Sequence, residues 1–310
     1  MPPVQPLHKT TEKRAQTLPS AFAYGLLALL LMGCTSQATE ESTGSSDAPV
    51  MSEDNGSDTA SYDANPVDAT STVKDTANTV DIHISDDVAM GLPAGPSSER
   101  HSKWPAGTKY AAQGFWEYLP VGYGNGQNWP LHIFFHGKGE NGSGSEADLE
   151  KLLTSGPPSY VSKDLWPIAQ SSAGDAFVLL SVQNPQTTCH RAEDIDAFIR
   201  WAAQQYDVDL TRIYLTGLSC GARGVWNYLK GYLNDDLVAA VVPIAGNGVE
   251  TWEQHTCSLG AMPIWAFHGD ADKTMNVVGT NTPMDGLAGC TDPVPVDAIK
   301  TIYEGVGHNS

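Results

Sequence analysis

The sequence predicts an α/β domain with a doubly wound, mostly parallel sheet. Over residues 101–310, short apolar runs rich in β-branched and aromatic residues alternate with segments of helical periodicity. Strands that alternate with helices are typical of parallel sheets. The preceding residues differ in composition, and the roughly 210 residues that remain are enough to bury one core. We therefore expect a single α/β domain over residues 101–310.

Seven apolar runs are expected to form strands. They lie near residues 115–122, 131–136, 176–182, 212–217, 238–244, 263–268 and 298–303. A helix is expected near 191–205, because one helical face collects Ile195, Phe198, Ile199 and Ala202 and acidic residues stand in its first turn. Residues 79–90 alternate briefly between apolar and polar, and could add an edge strand.

The most informative motif lies at the end of the fourth of these strands. The run Arg212–Thr216 leads directly into Gly217–Gly221, which reads Gly-Leu-Ser-Cys-Gly. One face of a helical pattern follows, formed by Ala222, Val225, Trp226 and Leu229. A G-x-S-x-G sequence between a strand and a helix is the nucleophile elbow of α/β-hydrolases, in which the tight turn exposes the serine hydroxyl. We therefore expect Ser219 to be a nucleophile.

A serine nucleophile needs a base, usually a histidine held by a carboxylate. In this fold the order along the chain is serine, acid, histidine. The predicted strand 263–268 ends in Gly-Asp-Ala-Asp. We prefer Asp272 as the acid because it lies further along the loop, and Asp270 is the alternative turn former that bonds nearby N–H groups. After Asp272 the sequence has a single histidine, His308, on a glycine-flanked loop. His308 is therefore the predicted base.

Two backbone donors are expected to stabilise the oxyanion that acyl transfer develops. One is the N–H of Cys220, the residue after the nucleophile. The other should come from the loop after an early strand, where we favour the N–H of Lys138, with Gly137 freeing the loop to turn. His136 precedes the serine, so we expect it to pin this loop by hydrogen bonds. Glu140 is expected to bond to neighbouring loops.

Five blocks in this order resemble α/β-hydrolase esterases of the extracellular polyhydroxybutyrate-depolymerase, feruloyl-esterase and predicted-peptidase group. They are Tyr118–Tyr123, Pro130–Gly142, Gly217–Gly221, His268–Asp272 and Gly305–Ser310.

The resemblance implies an α/β-hydrolase fold with Ser219 as nucleophile, Asp272 as acid and His308 as base. It implies no metal and no organic cofactor. It also implies a closing helix after the base. Because the sequence stops two residues after His308, we expect a truncated chain that lacks this last helix.

Residues 1–34 resemble the export signal of a bacterial lipoprotein. Three basic residues precede the apolar stretch Ala21–Met32, which is too short for a convincing membrane span. The stretch is followed by Gly-Cys, as in a lipobox. We predict that Cys34 is lipidated and anchors the protein at the bacterial cell envelope, on the outer membrane or the cell surface. The alternative is an ordinary secretory signal and a secreted protein.

Residues 35–100 are predicted to be a disordered acidic tether. Between residues 35 and 99, thirteen acidic residues accompany a single lysine, so the segment carries −12 of the chain's net charge of −19. Low hydrophobicity with high charge leaves no core to fold around. The acidic balance therefore belongs to a spacer, and it argues against nucleic acid as a partner.

Four further cysteines lie in the predicted catalytic domain. In an exported protein an even number suggests two disulfides. We favour Cys257 with Cys290 and Cys189 with Cys220, while the other pairings, and a buried Cys220 thiol, stay open. No cysteine and histidine spacing suggests zinc.

These residues together predict a monomeric serine hydrolase that cleaves carboxylic esters, either small molecules or acyl groups of polyesters and polysaccharides. Trp252 is the candidate lining of an acyl or aromatic pocket. Two alternatives remain open. A peptidase uses the same triad, and a non-catalytic surface lipoprotein could keep the fold as a binding module.

Overall fold

A computed structural model describes Leu92, residues 94–166 and residues 177–308. The predicted export signal with Cys34, most of the predicted tether 35–100 and the possible edge strand 79–90 lie outside these residues. The division of the chain into signal, tether and catalytic domain therefore stays a prediction.

The described residues form one eight-stranded sheet with the order β1-β2-β4-β3-β5-β6-β7-β8. The first two pairs in this order are antiparallel and all the others are parallel. The prediction of a doubly wound, mostly parallel sheet is confirmed. The strands are β1 His101–Trp104, β2 Phe115–Tyr118, β3 Trp129–Phe135, β4 Val178–Val182, β5 Val208–Leu218, β6 Ala240–Ile244, β7 Ile264–Gly269 and β8 Ala298–Tyr303.

Helices connect the parallel strands. They are α1 Glu146–Leu149, α2 Gly156–Val161, α3 Ala192–Gln205, α4 Cys220–Tyr232, α5 Val249–His255 and α6 Val278–Ala288. Short 3-10 helices lie at Ser97–Arg100, Thr108–Tyr110, Lys138–Glu140, Glu150–Thr154 and Thr256–Ala261. The prediction of a helix near 191–205 is confirmed by α3. Among the described residues, no helix combines the length and the apolar character needed to cross a membrane.

Two features of the sheet differ from the sequence prediction. The strand expected over 115–122 ends at Tyr118, because Pro120 lacks an N–H for a ladder and Gly122 turns the chain at φ 82°. The strand β1 was not predicted. Its four residues show no alternation of buried and exposed positions, and it forms by antiparallel pairing with the exposed edge of β2.

Successive side chains of the central strands enter two different cores. Leu131, Ile133 and Phe135 of β3 pack into the core that α3 and α4 cover. Phe134 points the opposite way, into a core that includes Val161 of α2. This two-residue period follows from strand geometry. Both faces of the sheet are therefore buried, as a parallel sheet requires.

The strand order brings four loops to one edge of the sheet. From β3 the chain goes to β4 on one side and then to β5 on the other, and ligands bind at such a switch point in open α/β sheets. The loop after β3 thus adjoins the turn after β5. The parallel pair β7 and β8 likewise brings the loop with Asp272 beside the loop with His308.

Candidate active site

The turn at Ser219 has the backbone strain of a nucleophile elbow. Ser219 lies between β5 and α4 at φ 55° and ψ −112°, a region that a residue with a Cβ rarely adopts. Both flanking glycines are sterically required. A Cβ on Gly217 would lie 2.4 Å from the backbone of Gly221, and one on Gly221 would lie 1.9 Å from the carbonyl oxygen of Phe135. The motif thus packs the start of α4 directly against the end of β3.

The Ser219 hydroxyl is hydrogen-bonded to His308. Its Oγ lies 2.8 Å from His308 Nε2, and His308 Nδ1 lies 2.6 Å from Asp272 Oδ2. Because a carboxylate only accepts, Nδ1 carries the proton, and the Nε2 lone pair is left to accept from the serine. The three side chains come from loops after β5, β7 and β8. The structure therefore brings together the residues predicted as nucleophile, acid and base.

Asp272 accepts hydrogen bonds from three donors. Its side chain is fully buried. Oδ1 accepts the backbone N–H groups of Thr274 at 2.8 Å and Met275 at 2.9 Å, while Oδ2 faces His308 and, at 3.3 Å, His268 Nε2. Burial alone would raise the pKa of Asp272, but the hydrogen bonds from His308 and from the two amides bring that pKa below its ordinary value. The carboxyl is thus kept ionised beside His308.

His268 is a part of this site that the sequence analysis missed. It is fully buried, its Nδ1 lies 2.8 Å from Thr280 Oγ1, and its Nε2 lies 2.7 Å from the carbonyl oxygen of Met275. It therefore supports the Asp272 loop through the backbone of Met275. The spacing of four residues between His268 and Asp272, across the end of a strand, was the available signal.

The His308 loop is tied to the Asp272 loop by backbone hydrogen bonds. Ala271 N–H donates to the carbonyl of Val306 at 3.0 Å. Asp270 Oδ1 accepts from Gly305 N–H at 2.7 Å. Asp270 is thus not a base partner; it bonds backbone N–H, as predicted, but across to the opposite loop. Gly269 allows this approach, since a Cβ there would lie 2.2 Å from the carbonyl oxygen of Val306.

The loop after β3 lies against the elbow. A Cβ built on Gly137 would be 3.8 Å from the Ser219 Cβ. Lys138 begins a 3-10 helix and Cys220 begins α4, so neither backbone N–H has an acceptor within its own helix. The structure therefore places both predicted donors at helix starts on this edge. Their role in holding an oxyanion stays a prediction.

His136 pins this loop, in agreement with the prediction. Its Nε2 accepts from the N–H of Asn184 at 2.9 Å, so the proton lies on Nδ1, which faces the Gly137 carbonyl oxygen at 2.5 Å. Burial lowers the pKa of His136, and the ring stays neutral. Glu140 Oε1 accepts from Ser155 Oγ at 2.8 Å, the bond to a neighbouring loop that was expected.

Both predicted disulfides are present. Cys189 is bonded to Cys220, next to the nucleophile, and Cys257 is bonded to Cys290. Trp252, the candidate pocket residue, lies in α5 with its indole against α6, where a Cβ on Gly286 would be 2.3 Å from the ring. Its contacts are those of a packing residue, and its role in a pocket stays a prediction.

Among the described residues there is no group of three or more His, Cys, Asp or Glu side chains that could hold a metal ion. The chemistry that this arrangement can perform is nucleophilic attack by Ser219, with proton transfer through His308 and charge stabilisation by Asp272.

Comparisons with known proteins point to the same architecture. No protein-family model matches the chain, and no curated protein sequence matches it. Among solved structures, a thermostable esterase is similar with a TM-score of 0.52 at 23% identity, over 67% of this chain. A feruloyl esterase module from Clostridium thermocellum, complexed with sinapinate, has a TM-score of 0.49 at 13% identity, over 72% of this chain and 86% of its own.

The chain spans only 55% of the length of the thermostable esterase. At this level of identity the similarity bears on the fold, and it agrees with the strand order, the parallel pairing and the strained turn after β5. We conclude that the chain has the α/β-hydrolase fold.

Proposed function

We propose that this protein is a serine hydrolase that cleaves carboxylic esters through an acyl-enzyme. The observation that carries the proposal is the continuous hydrogen-bonded series from Ser219 Oγ through the His308 ring to the buried Asp272 carboxylate. A serine, a histidine and a carboxylate in this order activate the hydroxyl for attack on an acyl carbonyl.

In the proposed first step, Ser219 Oγ attacks the ester carbonyl while its proton passes to His308 Nε2. Asp272 stabilises the imidazolium that forms. The N–H groups of Cys220 and Lys138 are the proposed donors to the oxyanion, and Gly137 leaves room for the carbonyl to approach. Collapse of the tetrahedral intermediate breaks the carbon–oxygen bond, and His308 returns the proton to the leaving alcohol.

A water molecule then attacks the acyl-enzyme by the same route. His308 takes one proton from the water, the second tetrahedral intermediate expels Ser219, and the proton returns to its Oγ. The products are the carboxylic acid and the free serine. No step requires a group beyond the side chains and amides named here.

Labelling of the full chain with a fluorophosphonate tests the nucleophile. We expect one covalent adduct on Ser219, abolished in Ser219→Ala and retained in Ser258→Ala, which removes an exposed serine. If the wild-type protein is not labelled although its cooperative unfolding shows that it is folded, the enzyme proposal is contradicted and a binding module is favoured.

A matched pair of substrates separates the esterase from the peptidase. The p-nitrophenyl ester and the p-nitroanilide of the same acyl group share the acyl part and differ in the scissile bond. We expect turnover of the ester and little of the amide. Preference for the amide, or for peptides, would assign the same site to a peptidase.

We also propose that Cys34 carries the lipid anchor. The support is the sequence, an apolar stretch that ends at Gly-Cys. Radiolabelled palmitate should be incorporated into the wild-type protein and not into Cys34→Ala, which should leave the membrane fraction. Equal membrane association of the two would contradict the anchor and favour a secreted protein.

A further inference from the structure

A cleft of about 470 Å³ opens beside the nucleophile elbow. One wall is the loop that contains Cys189 and His190, together with the start of α3; the other is the outer side of α4. The disulfide between Cys189 and Cys220 joins the two walls. The disulfide therefore links one wall of the cleft to Cys220, the residue next to Ser219.

Three cations line this cleft. They are Arg191 on the loop side and Arg223 and Lys230 on α4, and they outnumber the single lining carboxylate, Glu193. Arg223 is exposed, and among the described residues its guanidinium has no hydrogen-bond or ion-pair partner at contact distance, although it interacts electrostatically with Glu250 at longer range.

The other two cations have weak partners. Lys230 pairs with Glu250 at 2.8 Å, and Arg191 approaches Glu193 at 3.5 Å and Asp194 at 3.7 Å. Pairs as exposed as these contribute at most about 1 kcal/mol, so a ligand can compete for both cations. Among the cations that line the cleft, Arg223 is therefore the one that no described carboxylate pairs with.

The floor of the cleft offers further donors. Arg191 occupies the N-cap of the 14-residue helix α3 and makes no side-chain cap hydrogen bond, so the first N–H groups of α3 are open to a ligand. Asp194 and Glu193 already offset part of the positive end of this helix. His190, 3% exposed, also lines the cleft, but burial lowers its pKa and its ring donates to the His136 backbone, so the unpartnered Nε2 is an acceptor and adds no donor.

The position of Arg223 relative to Ser219 defines where a ligand would lie. Arg223 follows Ser219 by four residues, a helical rise of about 6 Å. Arg223 lies in the first turn of α4 and lines the cleft. An anion held by Arg223 would therefore lie on the order of 10 Å from the scissile carbonyl.

From this placement we propose that the cleft binds a carboxylate carried by the ester substrate, at a distance from the bond that is cleaved. The inference rests on the proposed esterase function and narrows its substrates to acidic esters. Arg223 provides the principal charge, and Lys230 and Arg191 add to it where the ligand displaces their exposed carboxylate partners.

The test compares substrates of matched length with and without the carboxylate. On the acyl side these are p-nitrophenyl hydrogen suberate and p-nitrophenyl octanoate; on the alcohol side, 8-acetoxyoctanoate and octyl acetate. The quantity is the ratio of kcat/KM for the acidic ester to that for the neutral one. In Arg223→Gln we expect this ratio to fall by about twofold to fivefold in at least one pair, with partial recovery in Arg223→Lys.

Arg212→Gln is the matched control. It removes the same charge from the first half of β5, where Arg212 pairs with Asp209, and it should leave the ratio unchanged. High salt should reduce the wild-type ratio toward that of Arg223→Gln. If Arg223→Gln leaves the ratio unchanged in both pairs while neutral esters are turned over normally, the carboxylate site is overturned and the proposed esterase function is not. Absence of turnover of every ester overturns the proposed function instead.

Discussion

The elbow after β5 and the loop after β8 place two side chains of one site by different means. The elbow is determined by contact between backbone atoms, because Gly217 and Gly221 leave no space for any side chain. A disulfide at Cys220 adds a covalent restraint. The loop with His308 has open space around Gly305 and Gly307 and is held mainly by hydrogen bonds to its neighbour, with one steric contact, at Gly269.

This difference separates positions that tolerate no change from positions that tolerate graded change. A steric restraint fails all at once, because overlapping atoms force the backbone to move. A hydrogen bond contributes about 1 kcal/mol, so losing one loosens a loop without displacing it. The elbow should therefore respond to substitution mainly in stability, and the His308 loop mainly in rate.

The largest effect on activity is expected in the hydrogen-bonded part of the site, at the predicted acid Asp272. Asp272→Asn should lower kcat by about 10⁴-fold, because an amide cannot stabilise the imidazolium and favours the wrong tautomer of His308. Ester turnover under saturating substrate measures this. A decrease of less than tenfold in a folded variant would exclude Asp272 as the acid.

The same variant should reveal the pH dependence of stability. The pKa of Asp272 lies below its ordinary value, so its ionised form stabilises the folded protein above the unfolded pKa of about 3.9. This contribution is lost as the pH falls through the folded pKa. Urea unfolding at several pH values should therefore show the gap between wild type and Asp272→Asn narrowing below about pH 4. A gap that widens on acidification would contradict the assigned direction.

At the elbow, Gly221→Ala should destabilise the protein by about 4 kcal/mol or more, because the new Cβ would overlap the carbonyl of Phe135. Gly231→Ala is the matched control in the same helix. A Cβ there has nothing within 4 Å, and the change should stabilise α4 by about 0.5–1 kcal/mol. Thermal and urea unfolding measure both. Equal stability of the two variants would show that steric contact does not define the elbow.

The contrast also explains how much of the site could be predicted. A steric requirement that only glycine satisfies can be recognised in the sequence. Gly217 and Gly221 therefore identified Ser219. Chain order then left a single histidine, His308. The strands were predictable for a similar reason, because burial on both faces requires apolar runs.

Interactions between residues that are distant in the sequence could not be recognised in this way. His268 supports Asp272 through side-chain contacts that only the folded sheet creates. The strand β1 exists because β2 offers it an edge. The cleft beside α4 joins Arg191 and Arg223, which lie 32 positions apart in the sequence, and no local pattern links them. Their proximity follows from tertiary packing of α3 against α4.

The two disulfides test the covalent part of the elbow, and they form a matched pair. They span 31 and 33 residues, so removing either as a double Cys→Ala variant should cost a similar free energy of unfolding, about 3–4 kcal/mol. Only removal of Cys189 and Cys220 should also lower kcat, because Cys220 carries a proposed oxyanion donor. Activity is compared at a temperature where both variants are folded. An equal loss of kcat in both would show that the bond at Cys220 has no special role in placing the elbow.

The smallest effect is expected in the ties of the His308 loop. Asp270→Ala removes the acceptor for Gly305 N–H and should loosen the loop by about 1 kcal/mol, which corresponds to roughly a fivefold loss of kcat. Asp270→Asn keeps an oxygen in the same place and should retain most of the activity, so the pair separates the hydrogen bond from the charge. If Asp270→Asn is as slow as Asp270→Ala, the carboxylate acts through its charge, and hydrogen bonding does not account for the placement of His308. If instead Asp270→Ala reduced kcat as strongly as Asp272→Asn, the loop would fail all at once, and the distinction between steric and hydrogen-bonded restraint would not hold at this site.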